Sequence, residues 1–344
     1  MWRGIISGAK DLVTGSLATT GLLWRQLDRR LHGKVLVLTY HRVLPEKNRD
    51  SFSAPGIIVT PETFDQHLAW IRSHLHPLTA EEFGRVFDGT RAPPRRACLV
   101  TFDDGWHDNL THALPALKHH DVQALLFAAT GFIGTSRCFW QERLSRLLYV
   151  AWSSGRGLAL LAQASASMVQ DVSEPVARRA IRDAVTRQKI LSPREIDSRL
   201  QQVEQGLLGL GIAAPTNFGD DCFMSWADLQ QLVTSRCFTV GSHGVSHSPL
   251  PRLSSDLARS ELAQSRTVLR TKLDRDIDWF AYPNGDHDAA SIELVRAAGY
   301  RGAFTTEDGP IAPGHDAFSL RRVNMHEGST RTYGRFLSRI SGVF

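Results

Sequence analysis

The sequence predicts an α/β fold: a barrel or distorted barrel of parallel strands, with a helical insertion and an amphipathic helix ahead of it. Three observations carry that expectation. Short, near-continuously apolar runs rich in branched residues recur along the chain, as strands buried on both faces require. Helical patterns separate them, the mark of βαβ units and a parallel sheet. Seven such runs occur, at 35–40, 98–102, 124–130, 238–242, 279–283, 302–306 and 319–323, a number that fits one curled sheet better than two sheets.

The elements follow in order. Trp2, Ile5, Ile6, Ala9, Leu12, Val13, Leu17, Leu23, Trp24 and Leu27 recur at helical spacing, and Arg3, Lys10, Arg25, Arg29 and Arg30 add positive charge. Lys10 and Asp11 interrupt the apolar run that a secretory signal needs. Residues 1–33 therefore read as an N-terminal helical segment. Such a helix covers the barrel or lies on an anionic membrane surface, and periodicity alone does not choose between them. Thr60-Pro61 opens the next helix, Thr79 with Glu82 forms a capping box for another, and Ser225 caps a third. A long helix follows over about 253–273, and one near 289–298 ends at Gly299. Residues 140–218 carry no strand pattern and read as charged helices. They are assigned as an insertion after the third strand, expected to wall the substrate cleft, within a barrel made of 34–139 and 219–344.

Composition narrows the function. The 344 residues are 42% hydrophobic and 22% charged, enough for a sizeable core. No apolar run reaches the roughly 18 residues of a spanning helix. A formal charge of +5 without dense basic clusters and interleaved aromatics speaks against nucleic-acid binding. Cys98, Cys138, Cys222 and Cys237 include no CxxC pair, which argues against a disulfide framework or thiolate zinc and for a reducing compartment.

The chemistry lies at the strand ends, where barrel enzymes keep their active sites. The first run ends in His41, the second in Asp103-Asp104-Gly105, the fourth in His243 with His247 four residues on, the fifth in Pro283-Asn284-Gly285-Asp286. The last leads to Asn324 and His326. Taken singly, Asp-Asp-Gly is a common turn, and an HxxxH flanked by Gly244, Ser246 and Pro249 is a loop rather than one face of a helix. Taken together they change meaning. Two histidines and one carboxylate bind a hydrolytic metal and leave positions open. Asp104, His243 and His247 supply that set, and Asp103 remains as a base.

These motifs carry a family resemblance. TFDDGW (101–106), SHGVSH (242–247) and the PNG turn (283–285) resemble the signatures of the polysaccharide deacetylases, the NodB-homology family, carbohydrate esterase family 4-like. LTYHRV (38–43) is similar to the opening of the subgroup that includes poly-N-acetylglucosamine deacetylases. The resemblance covers roughly 35–134 and 222–327. It implies a distorted (β/α)7 barrel and metal-dependent removal of N- or O-acetyl groups from a glycan, commonly with zinc, Zn2+. It implies Asp103 as catalytic base, Asp104, His243 and His247 as metal ligands, and His326 as catalytic acid. Asn284, Tyr282 and His41 become the substrate- and oxyanion-contacting candidates.

Two departures stand out. The family's arginine that orients the base is absent from Ala281-Tyr282-Pro283-Asn284-Gly285, leaving Arg321 or Arg322 as the replacement. Val323-Asn324-Met325-His326 matches the last family motif poorly. Trp106 and Trp140 are read as sugar-stacking or core residues, and His107, His112, His119 and His120 as solvent-exposed. Two other functions compete with the deacetylase: hydrolysis of a C–N bond in a small amide, and non-catalytic carbohydrate binding. The expected partner is an N-acetylated glycan rather than nucleic acid. The expected location is cytoplasmic, at the inner face of the membrane through the N-terminal helix.

Overall fold

The computed structural model describes residues 11, 13–45, 54–166, 173–215 and 223–343. They fall into two compact units, one within Met1–Arg49, Pro55–Thr135 and Phe223–Phe344, the other within Asp50–Ala54 and Ser136–Cys222.

The first unit is built on strands β1 (Val35–Tyr40), β2 (Arg42–Val43), β3 (Ile58–Val59), β4 (His76–Pro77), β5 (Ala97–Asp104), β6 (Ala124–Ala128), β7 (Phe238–Ser242), β8 (Trp279–Ala281), β9 (Gly302–Phe304) and β10 (Val323–Asn324). The main sheet runs β10-β1-β5-β6-β7-β8-β9, with β4 beside the start of β5, and every ladder is parallel. Strands β2 and β3 pair separately. Parallel neighbours need crossovers, and helices supply them. Helix α1 (Leu22–Leu31) precedes β1, while α2 (Pro61–His74), α3 (Ala80–Phe87) and α4 (Leu114–His120) lie between later strands. The sheet curls into an incomplete barrel: its end strands β9 and β10 form no ladder with each other, and β9 is instead bridged to the segment before β10, Phe304 to Leu320.

Of the predicted strands, the first and fourth recur with the same bounds, the second extends to Asp104, and the third, fifth and sixth stop two residues early. The fifth stops at Ala281, and Pro283 just beyond it has no N–H to continue a ladder. The seventh is displaced from 319–323 to Val323–Asn324. Leu320 is drawn toward β9 by its N–H bond to Ala303, and Arg322 N–H bonds Glu307 O, so only the last two residues reach β1.

Alternation along the strands makes two cores and one polar rim. Val35 and Val37 of β1, Leu99 of β5, Leu125 and Phe127 of β6 and Phe304 pack inside the barrel. Leu36, Leu38 and Tyr40, with Val100 and Phe102, face the surrounding helices. On β5 the inward series 97, 99, 101, 103 ends in Thr101 and Asp103, so the barrel interior turns polar at the C-terminal end of the sheet.

The second unit holds α5 (Trp140–Ser153), α6 (Leu158–Ser165), α7 (Glu174–Gln188) and α8 (Pro193–Gly209). Leu144, Leu148, Leu161, Ile181, Leu200 and Leu207 form its own core, with Trp140 packed against it. No strand occurs among its described residues. Back in the first unit, α9 (Trp226–Thr234), α10 (Ser255–Leu273), α11 (Ala289–Ala297), α12 (Glu327–Thr330) and α13 (Tyr333–Ser341) complete the chain.

The N-terminal stripe is partly accounted for. Leu23, Leu27 and Leu31 of α1 are buried in the barrel's helical layer, and Trp24 stacks on His74 at 4.8 Å, under the Arg96 guanidinium. Val13 and Leu22 are about half exposed. Trp2, Ile5, Ile6, Ala9 and Leu12 lie outside the described residues. Among the described residues no helix is long and apolar enough to cross a membrane.

One buried histidine ties β1 to the C-terminal helices. His67 of α2 donates from Nε2 to Thr330 O (2.7 Å), and its Nδ1 meets the Tyr40 hydroxyl (3.2 Å). Burial holds its pKa down, from 6.5 to about 4, with the Thr330 bond opposing only in part. The unfolded chain thus binds a proton in a range where the folded chain refuses it, and stability present above pH 6.5 is lost as pH falls toward 4. Replacing His67 with Phe should flatten that slope in urea unfolding of the metal-free protein across this range. An unchanged slope would show that His67 carries none of the acid sensitivity.

Candidate active site

The C-terminal ends of β5, β6 and β7 lie in register, with Asp104 beside Ala128 and Ala128 beside Ser242. Asp103, the last inward residue of β5, is buried within the barrel mouth. Asp104 cannot follow it: its φ of 81° turns the chain out of the strand. Gly105 continues the turn at φ 94°, where a Cβ would stand 2.8 Å from Ile133 Cδ1. Two consecutive carboxylates thereby point in different directions.

Asp104 turns to the histidines. Its Oδ1 lies 3.5 Å from His243 Nε2 and 3.3 Å from His247 Nε2, and the imidazoles sit 4.9 Å apart. The other oxygen, Oδ2, accepts a hydrogen bond from Trp106 Nε1–H at 2.7 Å. Oδ1 is buried with no hydrogen bond of its own. His243 donates from Nδ1 to Ala281 O (2.7 Å), which leaves the Nε2 lone pair facing Asp104. Burial holds its pKa down to about 4 and so keeps it neutral. Burial opposes ionisation of Asp104, but its attraction to His247 and to the nearby His41 and His243 imidazoles outweighs it and keeps the carboxylate charged.

An orphaned carboxylate oxygen, two converging imidazoles whose ligand atoms lie within 4.8 Å of it and of each other, and a backbone acceptor fixing one tautomer form a donor set that fits a divalent cation. His247 and Asp104 both hold left-handed backbone, at φ 57° and 81°, as does Asn284 at 59°. Such strain in non-glycine residues concentrates where a site is over-determined by its surroundings.

Asp103 has a different partner. Arg322 Nη1 donates to its Oδ1 at 2.7 Å and Nη2 to its Oδ2 at 2.8 Å, a two-pronged pair between fully buried groups. Arg322 Nε donates to Thr305 O (2.8 Å), and the guanidinium lies over the Phe127 ring. Burial opposes charge on Asp103, and the Arg322 guanidinium overcomes it, so its pKa is lowered. Of the two arginines named as replacements, Arg322 reaches Asp103, while Arg321 is half exposed beside Glu307 (3.4 Å).

The other named residues divide. His41 Nε2 stands 3.8 Å from Asp103 Oδ2, and its Nδ1 is buried with no partner. His326 caps α12, two residues past the β1–β10 ladder that sets Asn324 beside Thr39, and so lies at the same end of the sheet as His41. Its ring makes no hydrogen bond or ion pair with Asp103 or Asp104, and burial together with Arg339 lowers its pKa. Asn284 forms the tip of the turn after β8. Tyr282 does not face a substrate: its side chain is fully buried, its hydroxyl donates to Phe318 O (3.0 Å), and its N–H is spent on Phe304 O. Pro283 just after it ends the strand while Tyr282 is still turned into the core. Nor does Trp106 stack on sugar, being fully buried against Phe223 at 4.3 Å. Of the flanking histidines, only His119 is exposed; His107, His112 and His120 are half-buried.

The sequence reading did not single out the support behind Asp104. The Arg42 guanidinium covers the Trp106 ring at 4.1 Å and donates from Nε to Asp108 Oδ2 (2.8 Å), while Asp108 Oδ1 accepts Val43 N–H (2.8 Å). The available signal was local: Arg42 directly follows His41, and Asp108 lies two residues past Trp106.

The Arg322 pair generates a stability prediction. Replacing Arg322 with Met strands a buried carboxylate and should cost about 3–5 kcal/mol in urea unfolding. Adding Asp103→Leu should recover most of that loss. A single variant within about 1 kcal/mol of the parent would contradict the pairing.

Comparison with known proteins agrees with this geometry. The polysaccharide deacetylase family matches over residues 90–170 and 194–303. YxkH of Bacillus subtilis (strain 168), a protein named as a polysaccharide deacetylase, is 18% identical over 306 residues, 88% of this chain and 76% of that one. The deacetylase PplD of Streptococcus pyogenes, solved with acetate, superposes with a TM-score of 0.57 at 18% identity, over 89% of this chain and 98% of its own. IcaB from Ammonifex degensii gives 0.58 at 20% identity, over 90% and 97%. At these identities the solved structures speak to the fold.

Proposed function

The chain belongs to the polysaccharide deacetylase family and is an enzyme of that class; on that premise we propose that it hydrolyses N-acetyl groups of a glycan with the help of a divalent metal. The observation that carries the proposal is the division of two adjacent carboxylates, Asp103 clamped by Arg322 and Asp104 turned to His243 and His247. Zinc suits two imidazoles and one carboxylate with open positions. Once bound there, such an ion supplies Lewis-acid polarisation of the acetyl carbonyl and acidifies a water.

The chain's own groups do the rest. Arg322 keeps Asp103 ionised and fixed in orientation, ready to take a proton from the attacking water. The backbone N–H of Asn284 is assigned to the developing oxyanion. Return of a proton to the leaving amine is assigned to His41, whose Nε2 lies 3.8 Å from Asp103, in preference to His326, whose ring pairs with neither aspartate. The substrate class proposed is an N-acetylated polysaccharide or glycan precursor of exopolysaccharide or envelope synthesis, supported by the family itself.

Two comparisons test these roles. Asp103→Asn should keep stoichiometric metal and lose about 10²–10⁴ in acetate release from N-acetylglucosamine oligomers, while Asp104→Asn should lose the metal. The reverse pattern would exchange the two roles. His41→Gln should depress turnover more than His326→Gln at equal metal content; the opposite order would return the acid to His326.

A further inference from the structure

The five residues from His243 to His247 leave the end of β7 and carry both imidazoles. His243 is fixed twice, by its N–H on Ala128 O (3.0 Å) and by its ring on Ala281 O (2.7 Å). His247 lies beyond the strand, past Gly244 at φ 78° and in left-handed backbone itself. What holds the intervening peptides helps to set its place. From one side Thr130 N–H bonds Gly244 O (3.0 Å) and Gly131 N–H bonds Val245 O (2.9 Å). Contact there is close, since a Cβ on Gly131 would stand 2.6 Å from Val245 O. From the other side one carboxylate oxygen, Glu261 Oε2 on α10, accepts both Val245 N–H (2.6 Å) and Ser246 N–H (2.9 Å). One turn further along α10, Ser265 Oγ receives Ser242 Oγ–H at 2.8 Å.

We infer that Glu261 is a positioning residue that sets metal affinity by fixing the peptides on which His247 stands. This rests on the metal reading above. A charged acceptor serves better than a neutral one, because N–H bonds to carboxylates are shorter and stronger. The two N–H groups are partly open to solvent, so water can satisfy them when the carboxylate is removed. Loss of Glu261 should then release the loop without unfolding the barrel. Residues that orient ligands in this way typically change metal affinity by roughly 10–100-fold when removed.

The test titrates Zn2+ and Co2+ into the metal-stripped full-length chain by calorimetry, records the Co2+ visible spectrum, and follows thermal unfolding without metal. Glu261→Ala and Glu261→Asp, which removes the reach but keeps the charge, should each weaken binding roughly 10–100-fold and alter the Co2+ spectrum. Glu261→Gln keeps an acceptor oxygen and should stay much closer to the parent. Ala or Asp variants that bind metal like the parent, with or without a lower unfolding temperature, would overturn the inference; if Ala fails to fold, the Asp variant decides. Stoichiometric metal in the parent and none in His247→Ala supports the metal reading independently of Glu261. A parent that takes up no metal overturns both.

Discussion

Two neighbouring carboxylates, both buried at the end of one strand, are the constraint around which this molecule is arranged. Removing an ion from water costs several kcal/mol even after the protein relaxes, so each charge must find its own compensation. Asp103 finds it in the fork of Arg322, which is itself held by Thr305 O. Asp104 is compensated by Trp106 on one oxygen and by two imidazoles facing the other. Alternation along β5 would put the pair on opposite faces of the sheet. The left-handed turn at Asp104 and Gly105 keeps both at the barrel mouth and separates their partners.

The curled sheet brings the compensating groups together. Arg322 comes from the segment entering β10, two ladders from β5, while His243 continues β7, two ladders away on the other side. Neither reaches β5 by local sequence. The segment entering β10 is itself held to β9, with Leu320 bridged to Phe304 and Arg322 N–H bonded to Glu307 O, and from there the Arg322 side chain reaches inward to Asp103.

Much of this was readable before any coordinates. Apolar runs located six strands of the curled sheet because parallel strands are buried on both faces, and met the seventh only at Val323; the polar strand tails named Asp104, His243 and His247, which the fold brings together. What could not be read was side-chain direction past the last ladder residue. Tyr282 sits in a motif and looks available, yet its ring belongs to the core. Trp106, likewise beside the motif, turns inward to hold Asp104. Glu261 is legible only as one more helical glutamate, since its partners are backbone groups that no side-chain pattern reports. The N-terminal stripe shows the same limit: Leu23, Leu27 and Leu31 are core residues, although their spacing alone would equally suit a membrane surface.

The central claim is that one aspartate serves the metal and its neighbour does not. The most direct measurement is a crystal structure of the zinc-loaded chain with anomalous data collected on both sides of the zinc absorption edge. The account predicts a single anomalous peak at about 2.0–2.2 Å from one oxygen of Asp104 and from Nε2 of His243 and His247, with Asp103 still paired to Arg322 outside that sphere. A zinc bound by Asp103, or bridging the two carboxylates with Arg322 displaced, would contradict it.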